Sequence, residues 1–398
     1  MKDKLENNIE INEKKACSGC SACYSICPKQ AISMVTDKEG FDYPVVNHDK
    51  CINCGLCKKV CPLRNQDKRL DKSRYFAVKN VDECTRMHST SGGVFSILVN
   101  YVLEKDGVIY GAAYDKEFRV IHKRASDKSW EEFRGSKYVQ SIIGDVFAEV
   151  RNDLKNKKWV LFSGTPCQVD GLQKYLEKSN IRRDTLITCD LVCHGVASPL
   201  VWQEYLDLAV GNRSVIKFIN FRDKNNCGWH DSRFRIYDEK DKYIVDYAQP
   251  NGIYWGLFLN NYILRPSCYE CHYSNFKRVG DFTLGDYWGI EHKHAEFDDN
   301  KGVSLFMVNT SQAQSIWEEI KKNTYNIEVN QGECVQPNLL NPSPCPLKRN
   351  QFFRVFRKRG ILYAAKYVGV VVTYGIEKYK FKVMRKCIGL LEKIFKDK

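Results

Sequence analysis

The sequence predicts an α/β (α+β) protein: a small cysteine-bound amino-terminal domain, then a larger body with a mixed, partly parallel sheet. Two observations carry the prediction. Residues 17–62 contain one cysteine pattern twice, and residues 156–208 alternate short apolar runs with amphipathic ones. The chain of 398 residues, 43% hydrophobic and 12% aromatic, is long enough for two or three globular domains and too apolar for a disordered polymer.

The first run is Cys17, Cys20, Cys23 and Cys27, followed by Pro28; the second is Cys51, Cys54, Cys57 and Cys61, followed by Pro62. Each reads C-x2-C-x2-C-x3-C-P, the spacing by which bacterial-type ferredoxins bind two [4Fe–4S] clusters. The short gaps wrap three thiolates around one cubane, and the displaced fourth Cys turns to the other. The expected ligand sets are therefore Cys17, Cys20, Cys23 and Cys61, and Cys51, Cys54, Cys57 and Cys27. A pair of zinc sites would need four ligands each but no crossed fourth cysteine. Between the runs, residues 31–35 and 41–46 read as a hairpin turning at 37–40. The expected divisions are an N-terminal segment at 1–15, this ferredoxin domain at 16–66 and a linker at 67–74. Seven of the eleven residues from Arg64 to Arg74 are charged, as a linker requires.

The net charge of +14 is concentrated at one end. Residues 346–398 hold 15 Lys or Arg against Glu377, Glu392 and Asp397, which leaves about +2 for everything before them. The body therefore lacks the charge of a nucleic-acid binder, and no nucleic-acid partner is expected. Eighteen cysteines, many of them clustered at metal spacing behind a polar opening stretch, point to a reducing cytoplasm rather than to disulfides. No run reaches the roughly 18–20 apolar residues of a membrane span.

The body is read as two regions, 75–155 and 156–345, with a basic tail at 346–398. A strand at 75–78 opens it. Ser89-Thr90-Ser91-Gly92-Gly93 precedes a helix from Val94 to Leu103, whose free N–H groups make either an anion site or an ordinary cap. Residues 108–114 and 119–124 read as paired strands. A polar loop at 135–141 leads to a helix marked by Ile143, Val146, Phe147, Val150 and Leu154. A strand at 159–162, a helix on Val169, Leu172, Tyr175 and Leu176, and a strand at 185–192 follow. Ser198 then caps a helix that Pro199 opens. This alternation argues for parallel pairing. Cys167 and Cys193 fall in loops at the carboxyl ends of successive strands, the edge at which open α/β sheets bind ligands. Further strands are expected at 215–221, 234–237, 243–247 and 303–309, with a strand and turn at 281–289. Ile316 and Ile320 mark a helix, and residues 337–346 read as a boundary.

Cys167, Cys193, Cys268 and Cys271 form a third candidate metal set, with the C-x2-C supplying one edge. Structural zinc, or no metal at all, would use the same residues. Cys189 is a possible substitute ligand, but alternation along its strand points its side chain away from that of Asp190 and into packing. Cys84, Cys227, Cys334, Cys345 and Cys387 have no partners at ligand spacing.

Motifs in this order resemble the beta subunits of coenzyme F420 hydrogenases and dehydrogenases, including bacterial relatives linked to polysaccharide clusters. They are Thr90–Phe95, Arg134–Ser141, Phe162–Gln168, Asp190–Pro199, Phe221–Lys224 with Gly228-Trp229, Arg265–Cys271 and Asp281–Gly289. The resemblance covers residues 16–310. It implies a body like that of the F420 hydrogenase beta subunit, with FAD and a third [4Fe–4S] cluster on Cys167, Cys193, Cys268 and Cys271. It implies an iron–sulfur flavoprotein oxidoreductase, with a role in polysaccharide biosynthesis among its settings. Electrons would pass between the ferredoxin clusters and a flavin that exchanges hydride with a small substrate or a deazaflavin-like coenzyme. Ser91, Gly92 and Gly93 would offer N–H groups to the flavin pyrophosphate, and Lys137 a counter-charge. Gly135, Ser136, Thr165 and Gln168 would line the cofactor, and Asp286 would bind a ribityl or ribose hydroxyl or cap its own turn. Lys137 and His194 are the catalytic candidates, His194 as a proton carrier.

Expected partners are a redox protein or soluble electron carrier and a small-molecule substrate. A non-catalytic electron-transfer protein serving another enzyme is the alternative, and a module using its metals structurally is a third reading. The tail, with basic residues interleaved among aromatic ones at 354–359 and 378–386, reads either as a peripheral membrane contact or as helices packed on the body.

Overall fold

A computed structural model describes residues 8–66, 73–248 and 251–370. The amino-terminal hairpin pairs β1 (Ile32–Thr36) with β2 (Asp42–Val46) antiparallel, close to the predicted bounds. Asp37 closes its turn by accepting the Glu39 and Phe41 amides. Gly40 there has φ +87°, and a Cβ would stand 2.3 Å from the Leu200 side chain, so the turn seats against the body only as glycine.

The body contains β3 (Arg74–Asn80), β4 (Val108–Tyr114), β5 (Val120–Ala125), β6 (Val160–Gly164) and β7 (Leu186–Leu191). A separate antiparallel sheet of β8 (Ile216–Asp223), β9 (Arg233–Asp238) and β10 (Tyr243–Ala248) follows. Then come β11 (Phe282–Asp286), β12 (Ser304–Val308) and β13 (Thr324–Val329). The main sheet has the order β13-β3-β12-β11-β7-β6-β4-β5. Its centre, β4-β6-β7-β11, is parallel, and antiparallel strands flank it.

Alternation along β6 divides the core between two faces. Val160 and Phe162 pack with helices Val146–Lys155 and Pro166–Lys178, together with Cys20, Cys23 and Val60 of the amino-terminal domain. Leu161 packs with helices Val94–Leu103 and Ser311–Ile320. Ser198 caps helix Pro199–Ala209 by accepting the Val201 amide, as its sequence announces.

Several expectations change. The division at 155/156 falls between strands of one continuous sheet, because β4 pairs with β6. Residues 67–72 of the predicted linker lie outside the described residues, and Arg74 already belongs to β3. Strand β13 and the buried helix Ile253–Leu259 were not foreseen. Of the two readings of the tail, its start follows that of helices packed on the body. The helical span Arg349–Tyr367, kinked at Gly360, buries Phe352, Phe353 and Phe356 before the kink and Ile361 and Ala364 after it, and Arg349 Nη2 bonds Glu39 Oε2 of the hairpin at 2.8 Å. Apolar residues every third or fourth position drove this packing. The basic stretch 378–386 lies outside the described residues. Among the described residues no helix is long and apolar enough to cross a membrane.

Candidate functional site

Cys61, from the second run, interacts electrostatically with Cys20 and Cys23 beside Cys17. Cys27, from the first, lines a small cavity with Cys51, Cys54 and Cys57. The fold thus brings the two crossed quartets together. Cys167 lies in the first turn of helix Pro166–Lys178, Cys193 follows β7, and Cys268 and Cys271 belong to the turn at 266–271; all four line one small cavity. Burial pushes the thiols up, to about 11 for Cys167 and about 12 for Cys268. Thiols in that state ionise when a metal replaces the proton.

Tetrahedral zinc at about 2.3 Å from each sulfur draws its ligand atoms within roughly 4 Å of one another. Among the described residues, the one group of three His, Cys, Asp or Glu ligand atoms mutually within 4.8 Å is His230, Glu291 and Asp298. No thiol quartet belongs to that group. Cys189 is buried in the core cluster that holds Leu161, Ile187 and Phe282, as alternation required.

A buried ion pair fastens the third quartet. Asp190, at 0% exposure in β7, accepts Arg278 Nη2 at 2.9 Å, Thr283 Oγ1 at 2.6 Å and the Val279 and Gly280 amides. It ties the strand before Cys193 to the segment after Cys271. Nothing in local sequence marked this pairing across 88 residues.

A cavity of about 550 Å³ opens at the carboxyl ends of β6, β7 and β11, within the range of cofactor sites. Ser91, Gly93, Gly135, Ser136, Lys137, Thr165, Gln168, His194 and Asp286 all line it. Gly92 does not: its N–H donates to Ser304 Oγ at 2.9 Å, which removes it from the anion-binding set. Lys137 is also committed, its ammonium donating to the carbonyls of Glu132, Arg134 and Gly135, and burial lowers its pKa to about 7. Thr165 and Gln168 form a reciprocal cap at their helix start, and Gln168 reaches Ser141. Asp286 accepts from Arg222 Nη1 at 3.2 Å and Trp229 Nε1 at 3.3 Å. Thr90 Oγ1 accepts the Ser136 amide, linking two loops of the wall. Lys224 donates to Arg86, Ser91 and Lys301 carbonyls and anchors the Ser91 loop from behind.

Arg134, Arg222, Trp288 and His122 also line the cavity. The first three stand inside the quoted motifs, but nothing in the sequence aimed them at this space. Arg222 lies 4.8 Å over the Trp288 ring, which stacks on Trp229. His122 is buried between Ser141 and the Ser163 carbonyl, and burial pushes its pKa down to about 4. His194 is likewise lowered by burial. Thr165, Cys193, His194, Gly195 and Val196 line both this cavity and the third quartet's, so the two share a wall.

Residues 157–333 match the family described as the C terminus of the coenzyme F420 hydrogenase/dehydrogenase beta subunit, and residues 16–65 match a 4Fe-4S dicluster domain. The F subunit of the F(420)H(2) dehydrogenase of Methanosarcina mazei is 22% identical over 46% of this chain and 55% of its own length. The coenzyme F420-dependent sulfite reductase of Methanocaldococcus jannaschii is 26% identical over 42% of this chain and 26% of its own. The chain thus spans about half the length of one and a quarter of the other. The PorD subunit of pyruvate synthase from Thermotoga maritima is 42% identical over 13% of this chain and 48% of its own length. The F420-reducing [NiFe] hydrogenase complex of Methanosarcina barkeri superposes with a TM-score of 0.46 at 17% identity, over 78% of this chain and 95% of that one. Behind a 4Fe–4S dicluster domain, the chain carries a coenzyme F420 hydrogenase/dehydrogenase beta-subunit domain and is homologous to F420 hydrogenase subunits.

Proposed function

We propose that the chain is an iron–sulfur flavoprotein oxidoreductase that relays electrons between a small two-electron substrate and a one-electron partner. The observation that carries the reading is the shared wall. A cofactor-sized cavity adjoins the third quartet through Cys193 and His194, and that quartet adjoins Cys20 of the first. In this reading all twelve cysteines hold [4Fe–4S] clusters, and FAD occupies the cavity. FAD supplies two-electron exchange with a substrate and one-electron exchange with a cluster.

The residues present fit such a cofactor. The helix Val94–Leu103 starts at Gly93 without a side-chain cap, so its first amides and Arg134 offer an anion site on the cavity wall. Lys137 acts by holding the 132–137 loop closed, and Thr90 with Ser136 joins that loop to the Ser91 loop. Arg222 and Trp288 present a cation and a flat aromatic face to a planar ring. His194, neutral at pH 7 because burial lowers its pKa, is the group on the shared wall able to accept a proton.

The alternative is an electron-transfer subunit without its own substrate, favoured by the first relative's being a subunit. Anaerobic purification with iron, sulfide and flavin quantified together tests the first reading. About twelve irons and one FAD per chain are expected from three cubanes and one flavin. About eight irons without flavin would sink it. Turnover of a hydride donor by the isolated chain separates enzyme from subunit.

A further inference from the structure

Arg265 is fully buried, and its hydrogen-bond partners are neutral apart from one sulfur. Nε donates to the Cys17 carbonyl at 2.8 Å, Nη2 to the Asp42 carbonyl at 2.9 Å and Nη1 to Gln140 Oε1 at 2.9 Å. The Tyr43 ring lies 4.3 Å below it. A buried cation surrounded by carbonyls, an amide and a ring is strongly unfavourable unless anionic charge faces it. Among the described residues no carboxylate takes that place. What faces it is sulfur: Nη2 lies 3.6 Å from Cys17 Sγ, and its charge acts on Cys167 and Cys268.

The first and third quartets meet at this point. A Cβ on Gly171, four residues after Cys167 on the same helix, would stand 2.9 Å from Cys20 Sγ. Tyr273, two residues after Cys271, senses both Cys167 and Cys20. We propose that Arg265 is the shared counter-cation of two neighbouring iron–sulfur centres and holds both at raised reduction potential. One centre is on Cys17, Cys20, Cys23 and Cys61, the other on Cys167, Cys193, Cys268 and Cys271. The inference rests on the four-iron reading of both quartets. A reduced cubane carries one more negative charge than an oxidised one, so a fixed cation at its thiolates favours reduction. The electron lost by one centre is the electron gained by the other, and no bond changes. Arg265 is thus a positioning and tuning residue that touches no substrate.

The test uses the full chain, isolated anaerobically, with iron counted before an EPR-monitored redox titration. Gln140→Glu sets a carboxylate against Nη1 and neutralises the cation with little change of shape. Its expected result is unchanged iron and a fall in two of three midpoint potentials equivalent to about tenfold in the reduction equilibrium, ~59 mV for one electron. Gln140→Leu removes the side-chain hydrogen bonds to Arg265 and the Ser18 carbonyl without adding charge and should leave the potentials in place. Unchanged potentials in Gln140→Glu, or an equal fall in Gln140→Leu, would overturn the proposal alone. About eight irons in the unaltered chain would overturn the shared role together with the third centre.

Discussion

The chain gathers cysteines in two ways, and the difference separates what spacing can specify from what a sheet must assemble. The amino-terminal quartets draw on residues 17–61, and a repeated tripeptide gap places three of each four ligands without help. The third quartet draws on residues 167–271 and exists only because β6 and β7 run parallel and present their ends side by side. Local chain geometry holds the first kind. Long-range packing holds the second, and buried polar contacts such as Asp190 with Arg278 carry it. The two kinds are also joined: Gly40 against Leu200, Ser198 on the Glu39 carbonyl and Arg349 on Glu39 seat the hairpin in the body.

Asp190→Ala attacks the long-range kind most directly. It strands Arg278 in the core, and a loss of about 5 kcal/mol is expected, at the upper end for breaking a buried pair. Urea unfolding measures the loss, and iron analysis should show the third quartet emptied while the amino-terminal pair stays loaded. Equal loss from all quartets would erase the distinction. Arg349→Met tests the joint. It leaves Glu39 unpaired where the hairpin meets the final helix, at about 3 kcal/mol. Limited proteolysis should then open the hairpin before the sheet.

Acid tests the cavity floor. Burial pushes His122 from its ordinary 6.5 down to about 4, so between those values the unfolded chain binds a proton that the folded chain refuses. Its contribution is fully present above pH 6.5 and lost as pH falls toward 4, by about 2 kcal/mol at pH 5. Unfolding at pH 7 and pH 5 should show this slope, and His122→Asn should flatten it. The smallest effect belongs to Thr90→Val. It leaves the Ser136 amide without its acceptor, at about 1 kcal/mol. The amino-terminal clusters should keep their EPR signals while flavin retention weakens.

Most strands were legible because their apolar runs end at glycine, proline or polar turns, as β4, β6, β7 and β12 do. Strand β13 was missed because it lies at the sheet's edge with only two of its six residues buried. For the start of the basic tail the sequence offered a membrane contact or helices packed on the body, and the Phe352, Phe353 and Phe356 contacts follow the second. Within the site, the Ser91–Gly93 loop was found as a motif. Only the structure withdrew Gly92 into a bond with Ser304 and turned Lys137 onto its own loop.

The sequence by itself determined three of the four cysteines in each amino-terminal quartet, since three ligands within seven residues leave the backbone little choice of where to point them. It also determined the alternation that makes a parallel sheet and places Cys167 and Cys193 at its edge. Tertiary structure alone decided which distant groups share a wall. It set Arg265 between two quartets, opened the cavity beside His194 and locked Asp190 to Arg278. Side chains 80 or more residues apart meet only when strand order and packing bring them together, and no local spacing encodes that order.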